Sequence, residues 1–377
     1  MQRAAGMGAG MFQLMPSARL RPSPYYEATV AAGVVSMTVY NRMLMPTSYG
    51  SPEEEYWRLI EGVSMWDVAV ERQVQLEGPD AYSLAQALCV RDLSKAKVGQ
   101  GKYVPVCDHD GRLINDPIAL KLADDKWWLS IADSDIWFHA RAIARERRYD
   151  VSVSEPDVSP LAVQGPKAEA VVASIFGDWV RDLKYFWFRE TEIDGIPVAV
   201  QRSGWSKQGG FEIYLCDGAR GIDLWNIVAE AGRPHDIGPG NPNVCERIES
   251  GLLSWGGDTD DTTTPFEVRM GAYTDTSVPD DTVGVQALRR VEREGPPRHQ
   301  LGLVMEGDAP LDIPFGWFAI TRDGQPVGHQ TNRVWSWRMK RNIGFALVST
   351  DAVAGDTVSV ETEAGPVRGE LVELPFL

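Results

Sequence analysis

The chain is poor in the residues that disulfide and metal chemistry need. It has four cysteines, Cys89, Cys107, Cys216 and Cys245, with no CxxC pair. A disulfide framework is not expected, and a reduced, cytoplasmic compartment is the default. The five histidines, His109, His139, His235, His299 and His329, show no HxH or HxxxH spacing. That argues against a zinc site, and no metal is expected. No GxSxG elbow is present, though spacing alone leaves a Ser-His-Asp triad open. No run approaches the ~20 apolar residues of a membrane helix. Positive charge is in deficit: 37 Lys and Arg stand against 53 Asp and Glu, a formal net charge of −16. Nucleic acid and anionic membrane both demand basic patches, so neither is an expected partner. No internal repeat is visible, and oligomeric state has no signature.

What is present is enough bulk for two or three domains in 377 residues. The chain is 44% hydrophobic and 24% charged, ordinary for a soluble globular protein. Thirteen tryptophans are many for this length. Most belong in cores or interfaces, and some are free to line a pocket for a flat heterocycle or a cation.

Residues 1–24 are expected to be a flexible lead-in, since MQRAAGMGAGMFQLMP lacks the apolar core of a signal peptide. In SPEEEYWRLIEG, Ser51 suits an N-cap, Pro52 the first turn, and the acids the positive helix end. RQVQLEGPD reads as a strand, followed by a helix at DAYSLAQALCV. The stretch from Lys102 to Ala132 reads as a meander with turns at Asp110-Gly111 and Asp124-Asp125. SDIWFHARAIARERRY has helical periodicity. A hairpin is expected around Asp194-Gly195, and FEIYLCD is a strand with Glu212 and Tyr214 on one face. CERIESGLLSWGGD is expected to be a helix stopped by Gly256-Gly257. From about Arg298 the chain turns to short strands, the pattern of a small β-barrel. The fold class is α+β. The expected divisions are 1–24, a folded region 25–297 made of two intertwined α+β subdomains, and a barrel 298–377.

Three stretches could carry chemistry. In Asn115-Asp116-Pro117 the proline holds Asp116 in extended geometry; alone, this is also an ordinary turn. In RSGWSKQGGFEIY, Gly209-Gly210 permits a turn or a close approach to a ligand. Trp205 precedes it, and Glu212 and Tyr214 follow. Alone, this is also a hairpin with an interface tryptophan. The third stretch pairs the Glu246-Arg247-Glu249 helix with TTPFE, which alone is surface charge and a turn.

Together these segments resemble the tetrahydrofolate-dependent methyl- and aminomethyl-transfer family typified by the glycine cleavage T-protein. GRLINDP, SGWSKQGGFEIY, ERIESGLLSWGGD and TTPFE stand in that family's order. The longer runs YNRMLMP, RDLSKAKVGQGKYVPVCDHDG, NDPIALKLADDKWWLSIADSD and the terminal ELPF are similar to one branch, which demethylates a sulfonium zwitterion. The resemblance implies a three-domain cloverleaf with a C-terminal β-barrel. It also implies tetrahydrofolate as methyl acceptor and a small-molecule donor. A sulfonium is an activated leaving group, so direct in-line transfer needs positioning rather than a metal or a covalent intermediate.

By the same resemblance Glu212 holds the folate, Tyr103 lines its pocket, and Asp116 is the family's catalytic aspartate. Lys207 or Arg202 meets the anionic glutamyl tail. Trp205 and Tyr214 are the expected aromatic pair for the cationic donor, assisting the transfer. Met37 and Arg42 depart from the branch's N-terminal strand, as SMTVYNRMLMP, and are expected at the donor pocket; Arg42 could bind a donor carboxylate or sit in a structural ion pair. Another methylated donor (a methoxyaromatic, an amine, a different sulfonium), glycine-cleavage aminomethyl transfer, or folate binding without turnover stay open at this point.

Overall fold

The computed structural model describes residues 19–312 and 316–377. Most of the expected lead-in therefore lies outside the described residues. Its last residues are tied to the fold. The Arg21 N–H donates to the Arg42 carbonyl at 2.9 Å, and the Ser23 hydroxyl donates to Asp67 Oδ2 at 2.5 Å.

Two sheets build the body. The six-stranded sheet runs, in spatial order, Phe188–Ile193, Ile196–Gln201, Gly210–Leu215, Ser159–Gln164, Ser64–Asp67 and Gly238–Gly240, with only the last pair parallel. The five-stranded antiparallel sheet runs Ser152–Ser154, Gln73–Glu77, Lys126–Ser130, Ile118–Ala123 and Gln100–Tyr103. The chain enters the first sheet at Ser64, crosses to the second at Gln73, and returns at Ser159. The β-rich end is a closed six-stranded barrel whose strands lie between Arg298 and Val372.

Local chemistry explains the elements. The helix Pro52–Glu61 starts where the Ser51 hydroxyl accepts the Glu54 N–H, with Pro52 in the first turn and three acids beside the positive end. Such a cap contributes about 1 kcal/mol. In Gly210–Leu215, Phe211, Ile213 and Leu215 enter the main core of the first sheet. The alternate face carries Glu212 and Tyr214 toward the second sheet, where the Tyr214 ring meets Trp128 with centroids 6.3 Å apart. Leu120, Leu122, Phe188 and Ala199 fill the same layer. The two sheets thus pack face to face, with polar groups gathered beside this apolar layer.

One boundary differs from expectation. The helix Val244–Glu249 ends well before Gly256-Gly257. Gly251 takes φ +69°, and the Leu252 N–H turns back to the Arg247 carbonyl at 2.8 Å, an ending that the glycine's left-handed backbone permits. Glu249, at the end of this helix, is fully buried. It accepts from the Tyr56 hydroxyl at 2.8 Å and from Arg338 of the barrel at 2.6 Å.

Candidate active site

Asp116 is aimed by its neighbour. Asn115 is fully buried, donates to the Ala132 carbonyl and the Ser134 hydroxyl, and accepts the Ala132 N–H at 3.0 Å. Those three bonds fix the turn. The Tyr103 hydroxyl then donates to Asp116 Oδ2 at 2.7 Å. Glu212 comes from the opposite sheet. Its Oε2 accepts from the Ser203 hydroxyl at 2.5 Å and the Tyr214 hydroxyl at 3.1 Å. Its Oε1 takes no hydrogen bond among the described residues.

Glu71 joins these two carboxylates. Its pKa is raised by burial first, then by the charges of Glu212 and Asp116. Tyr40 belongs to the same group: burial, then Glu71, Asp116 and Asp133, push its phenol up. Tyr40, Glu71, Tyr103 and Asp116 all keep partial contact with solvent, although burial is the main cause of every shift. Groups this deep that still touch solvent mark a candidate cavity. Tyr185 and Tyr273 stand at its rim, 56% and 37% exposed. The charges of Glu212 and Tyr273 both raise the Tyr185 phenol, after burial. A surface cleft of about 270 Å³ lined by Phe266, Arg269, His299 and Glu373 lies on the barrel side and contains none of these carboxylates.

The electrostatics follow from depth. Burial pushes Asp116 up to about 7 against the opposing Tyr103 hydrogen bond. Burial also raises Glu212, opposed by Ser203 and Tyr214. Burial and, for Glu71, the charges of Glu212 and Asp116 thus work against ionising all three carboxylates together. Such a cluster can accept N–H groups from a heterocycle edge, hold a proton, and attract a cation.

The expected site residues divide. Asp116, Tyr103 and Glu212 come together. Tyr214 reaches Glu212, but its ring is fully buried against Trp128. It forms no ring contact with Trp205 among the described residues. The expected Trp205–Tyr214 aromatic pair is therefore not formed. Trp205 instead donates to the Leu253 carbonyl at 3.0 Å beneath the Arg247 guanidinium, 5.6 Å from its ring centroid. Lys207 is exposed, and its backbone N–H binds Glu246 at 3.0 Å. Arg202 pairs with Glu169 at 3.0 Å. Arg42 is exposed and ion-paired with Asp135, the structural alternative. Met37 lies opposite Pro46 on a two-stranded ribbon. Gly210 serves the sheet rather than a ligand: a Cβ there would stand 2.5 Å from the Val163 carbonyl. Sequence reasoning singled out none of Glu71, Tyr40, Tyr185 and Tyr273, which the fold brings near Asp116, Tyr103 and Glu212. Tyr40 lies inside the run YNRMLMP, two residues before Arg42, which is the one signal that could have found it.

A model of the GCVT N-terminal domain matches residues 25–277. A model of the glycine cleavage T-protein C-terminal barrel domain matches residues 298–377. The chain belongs to the glycine cleavage T-protein family. Within the family, it is 41% identical over 356 residues to the dimethylsulfoniopropionate demethylase DmdA of Ruegeria pomeroyi, covering 94% of this chain and 97% of that one. It is 29% identical over 367 residues to an aminomethyltransferase of Shouchella clausii, covering 95% and 98%. The fold matches the crystal structure of glycine cleavage system aminomethyltransferase T from Bartonella henselae with TM-score 0.82 at 22% identity, over 95% of this chain and 98% of that one. The family's α+β architecture with its closing barrel is thus the fold of this chain. No helix among the described residues is long and apolar enough to cross a membrane.

Proposed function

We propose that the protein is a tetrahydrofolate-dependent demethylase that moves one S-methyl group from dimethylsulfoniopropionate to N5 of tetrahydrofolate. The products are methylmercaptopropionate and 5-methyltetrahydrofolate. The observation that carries this reading is the 41% identity to a dimethylsulfoniopropionate demethylase across nearly the full length of both chains. The cavity supports it, because its residues fit both reactants.

A reduced pterin presents a row of N–H donors along one edge. Glu212 Oε1, which takes no hydrogen bond among the described residues, accepts them, while Ser203 and Tyr214 hold Oε2. Tyr103 fixes the Asp116 carboxylate. Bound tetrahydrofolate supplies the accepting nitrogen. In the transfer, the S–CH3 bond breaks with its electron pair left on sulfur, the C–N bond forms, and the N5 proton must leave. Asp116, with its pKa near 7, is a better proton acceptor than an ordinary carboxylate.

The donor cation meets phenol faces. Tyr40 takes the part first expected of Tyr214, and cation–π contacts contribute about 0.5–2 kcal/mol each. Burial raises the pKa of Asp116, Glu71 and Glu212, so the cationic ground state meets less negative charge than three free anions would bring. That matters because the positive charge on sulfur vanishes in the product, and ground-state binding alone does not accelerate transfer. Four free thiols fit work in the reducing cytoplasm.

The test is a direct assay with tetrahydrofolate and dimethylsulfoniopropionate, following both products by mass spectrometry. Stoichiometric appearance of both is expected. Tetrahydrofolate binding without product would discard this donor, and methoxyaromatic, amine and other sulfonium donors would follow.

A further inference from the structure

The barrel-side cleft of about 270 Å³ is lined by two opposite charges that do not meet. Arg269 and Glu373 are both exposed, and neither has an ion-pair partner among the described residues. Arg269 is held where it stands. Its guanidinium donates to the Gly251 carbonyl at 3.2 Å, and a Cβ on Gly251 would stand 2.7 Å from Nη1. The Arg269 backbone takes φ +64°. That left-handed conformation is costly for a residue with a side chain, and such strain gathers at binding sites. Glu373 follows directly on the last barrel strand, Gly365–Val372.

The rest of the lining leaves both charges unanswered. Glu267 also lines the cleft, but Arg298 pairs with it at 2.6 Å. His299 Nε2 donates to the Ala352 carbonyl at 2.7 Å. Gln300, another lining residue, is 5% exposed, and its Nε2 has no hydrogen-bond partner among the described residues. A buried donor without a bond is expensive, so an acceptor entering beside it is favoured. Burial lowers the Arg269 pKa against the charges of Glu373 and Tyr273. A guanidinium partly stripped of water binds a carboxylate more strongly for it. Leu301, Val353 and Leu374 make the apolar part of the wall.

We infer that this cleft is a second small-molecule site, and that it takes a short zwitterion. The carboxylate of the ligand sits on Arg269 and Gln300. Its onium group faces Glu373 and the Phe266 ring, and the short link between them lies along the apolar wall. A lone anion would meet Glu373, and a lone cation would meet Arg269, so the cleft selects for both charges in one molecule. A sulfonium or quaternary ammonium carboxylate belongs to this class, and so does a free amino acid. The argument rests on the lining of the cleft and is independent of the reaction proposed above.

The experiment is calorimetric titration of the full chain with trimethylammonioacetate, beside acetate and tetramethylammonium as its two halves. Wild type is compared with Glu373→Gln, Arg269→Gln and Gln300→Leu. The wild type should bind the zwitterion roughly 3- to 10-fold more tightly than either half, and each variant should weaken the zwitterion by a similar factor. Arg269→Gln also removes the bond to Gly251, so its titration is read beside its thermal midpoint. Glu373→Gln and Gln300→Leu decide, because the first keeps the shape of an exposed side chain and the second removes a donor that has no partner. The thermal midpoint of Gln300→Leu should hold or rise. Zwitterion affinity unchanged in Glu373→Gln and Gln300→Leu puts the probe elsewhere in the molecule and overturns the inference. Acetate bound as tightly as the zwitterion, and more tightly in Glu373→Gln, also overturns it and makes the cleft a plain anion site. No binding of the zwitterion by the wild type overturns it outright. Each of these results leaves the demethylase reading standing.

Discussion

The Tyr103 hydroxyl lies 2.7 Å from Asp116 Oδ2, and that bond opposes the burial that pushes Asp116 up to about 7. Removing it should therefore raise Asp116 further. In Tyr103→Phe the rising limb of the pH–rate profile is expected to move to the alkaline side. Activity lost near pH 7 should be partly recovered above pH 8. Asp116→Asn should abolish that limb altogether. A Tyr103→Phe profile shifted toward acid would show that the aspartate is not the titrating group.

Glu212 is 5% exposed and burial raises its pKa. Glu212→Gln keeps its size and removes a buried charge. Folate affinity should fall roughly 10- to 100-fold, the loss expected for hydrogen bonds to a charged group. The thermal midpoint should hold or rise. Calorimetric titration beside a thermal melt separates the two; a matched collapse of both would make Glu212 structural.

Tyr214 requires two substitutions. Its ring is packed in the layer between the sheets, so Tyr214→Ala should cost about 3–5 kcal/mol of stability. Tyr214→Phe keeps the packing and removes the hydroxyl that donates to Glu212. Weaker folate binding in Tyr214→Phe at nearly unchanged stability is the expected outcome. A change in donor KM alone would restore Tyr214 to the donor side.

Asp67 gives a stability prediction with a definite sign. It is 2% exposed, and burial raises it to about 6 against bonds from Ser23 and the Ala69 N–H. An unfolded aspartate titrates near 3.9. The folded state therefore holds the proton more tightly, and the contribution is greatest below about pH 4. It is lost as pH rises from about 4 through 6, by on the order of 3 kcal/mol. Urea unfolding of wild type and Asp67→Asn at pH 4 and 7 tests this, because the variant should lack that share of the pH dependence.

Much of the frame was legible because strand and helix periods are local. The two-residue period of FEIYLCD put Glu212 and Tyr214 on one face, and the structure has them there. That period does not say what the face meets, and the partner is Trp128, 86 residues earlier in the chain. The expectation of Tyr214 as half of an aromatic pair for the donor therefore meets a ring packed in the layer between the sheets. Glu71 had no signal, since its meaning comes from Asp116 and Glu212 arriving beside it from other strands. Trp205 departs from expectation for a similar reason: nine residues across a glycine turn do not reveal that its indole leans toward Arg247 and Leu253. The early end of the helix at Glu249 was missed because Gly251 sits in an otherwise polar and apolar mix that reads as continuous.

The crossing of the chain between the two sheets limits how this protein can be taken apart. The barrel is one uninterrupted piece and could be exchanged between relatives as a cassette. The cavity could not. Its walls alternate along the sequence, with Glu71, Asp116 and Glu212 separated by strands of both sheets. A recombinant that took one half of the body from a relative would inherit mismatched walls. Shuffling relatives of differing donor preference should therefore give active chimaeras when the crossover falls near the start of the barrel, and mostly unfolded ones when it falls between Gln73 and Leu215.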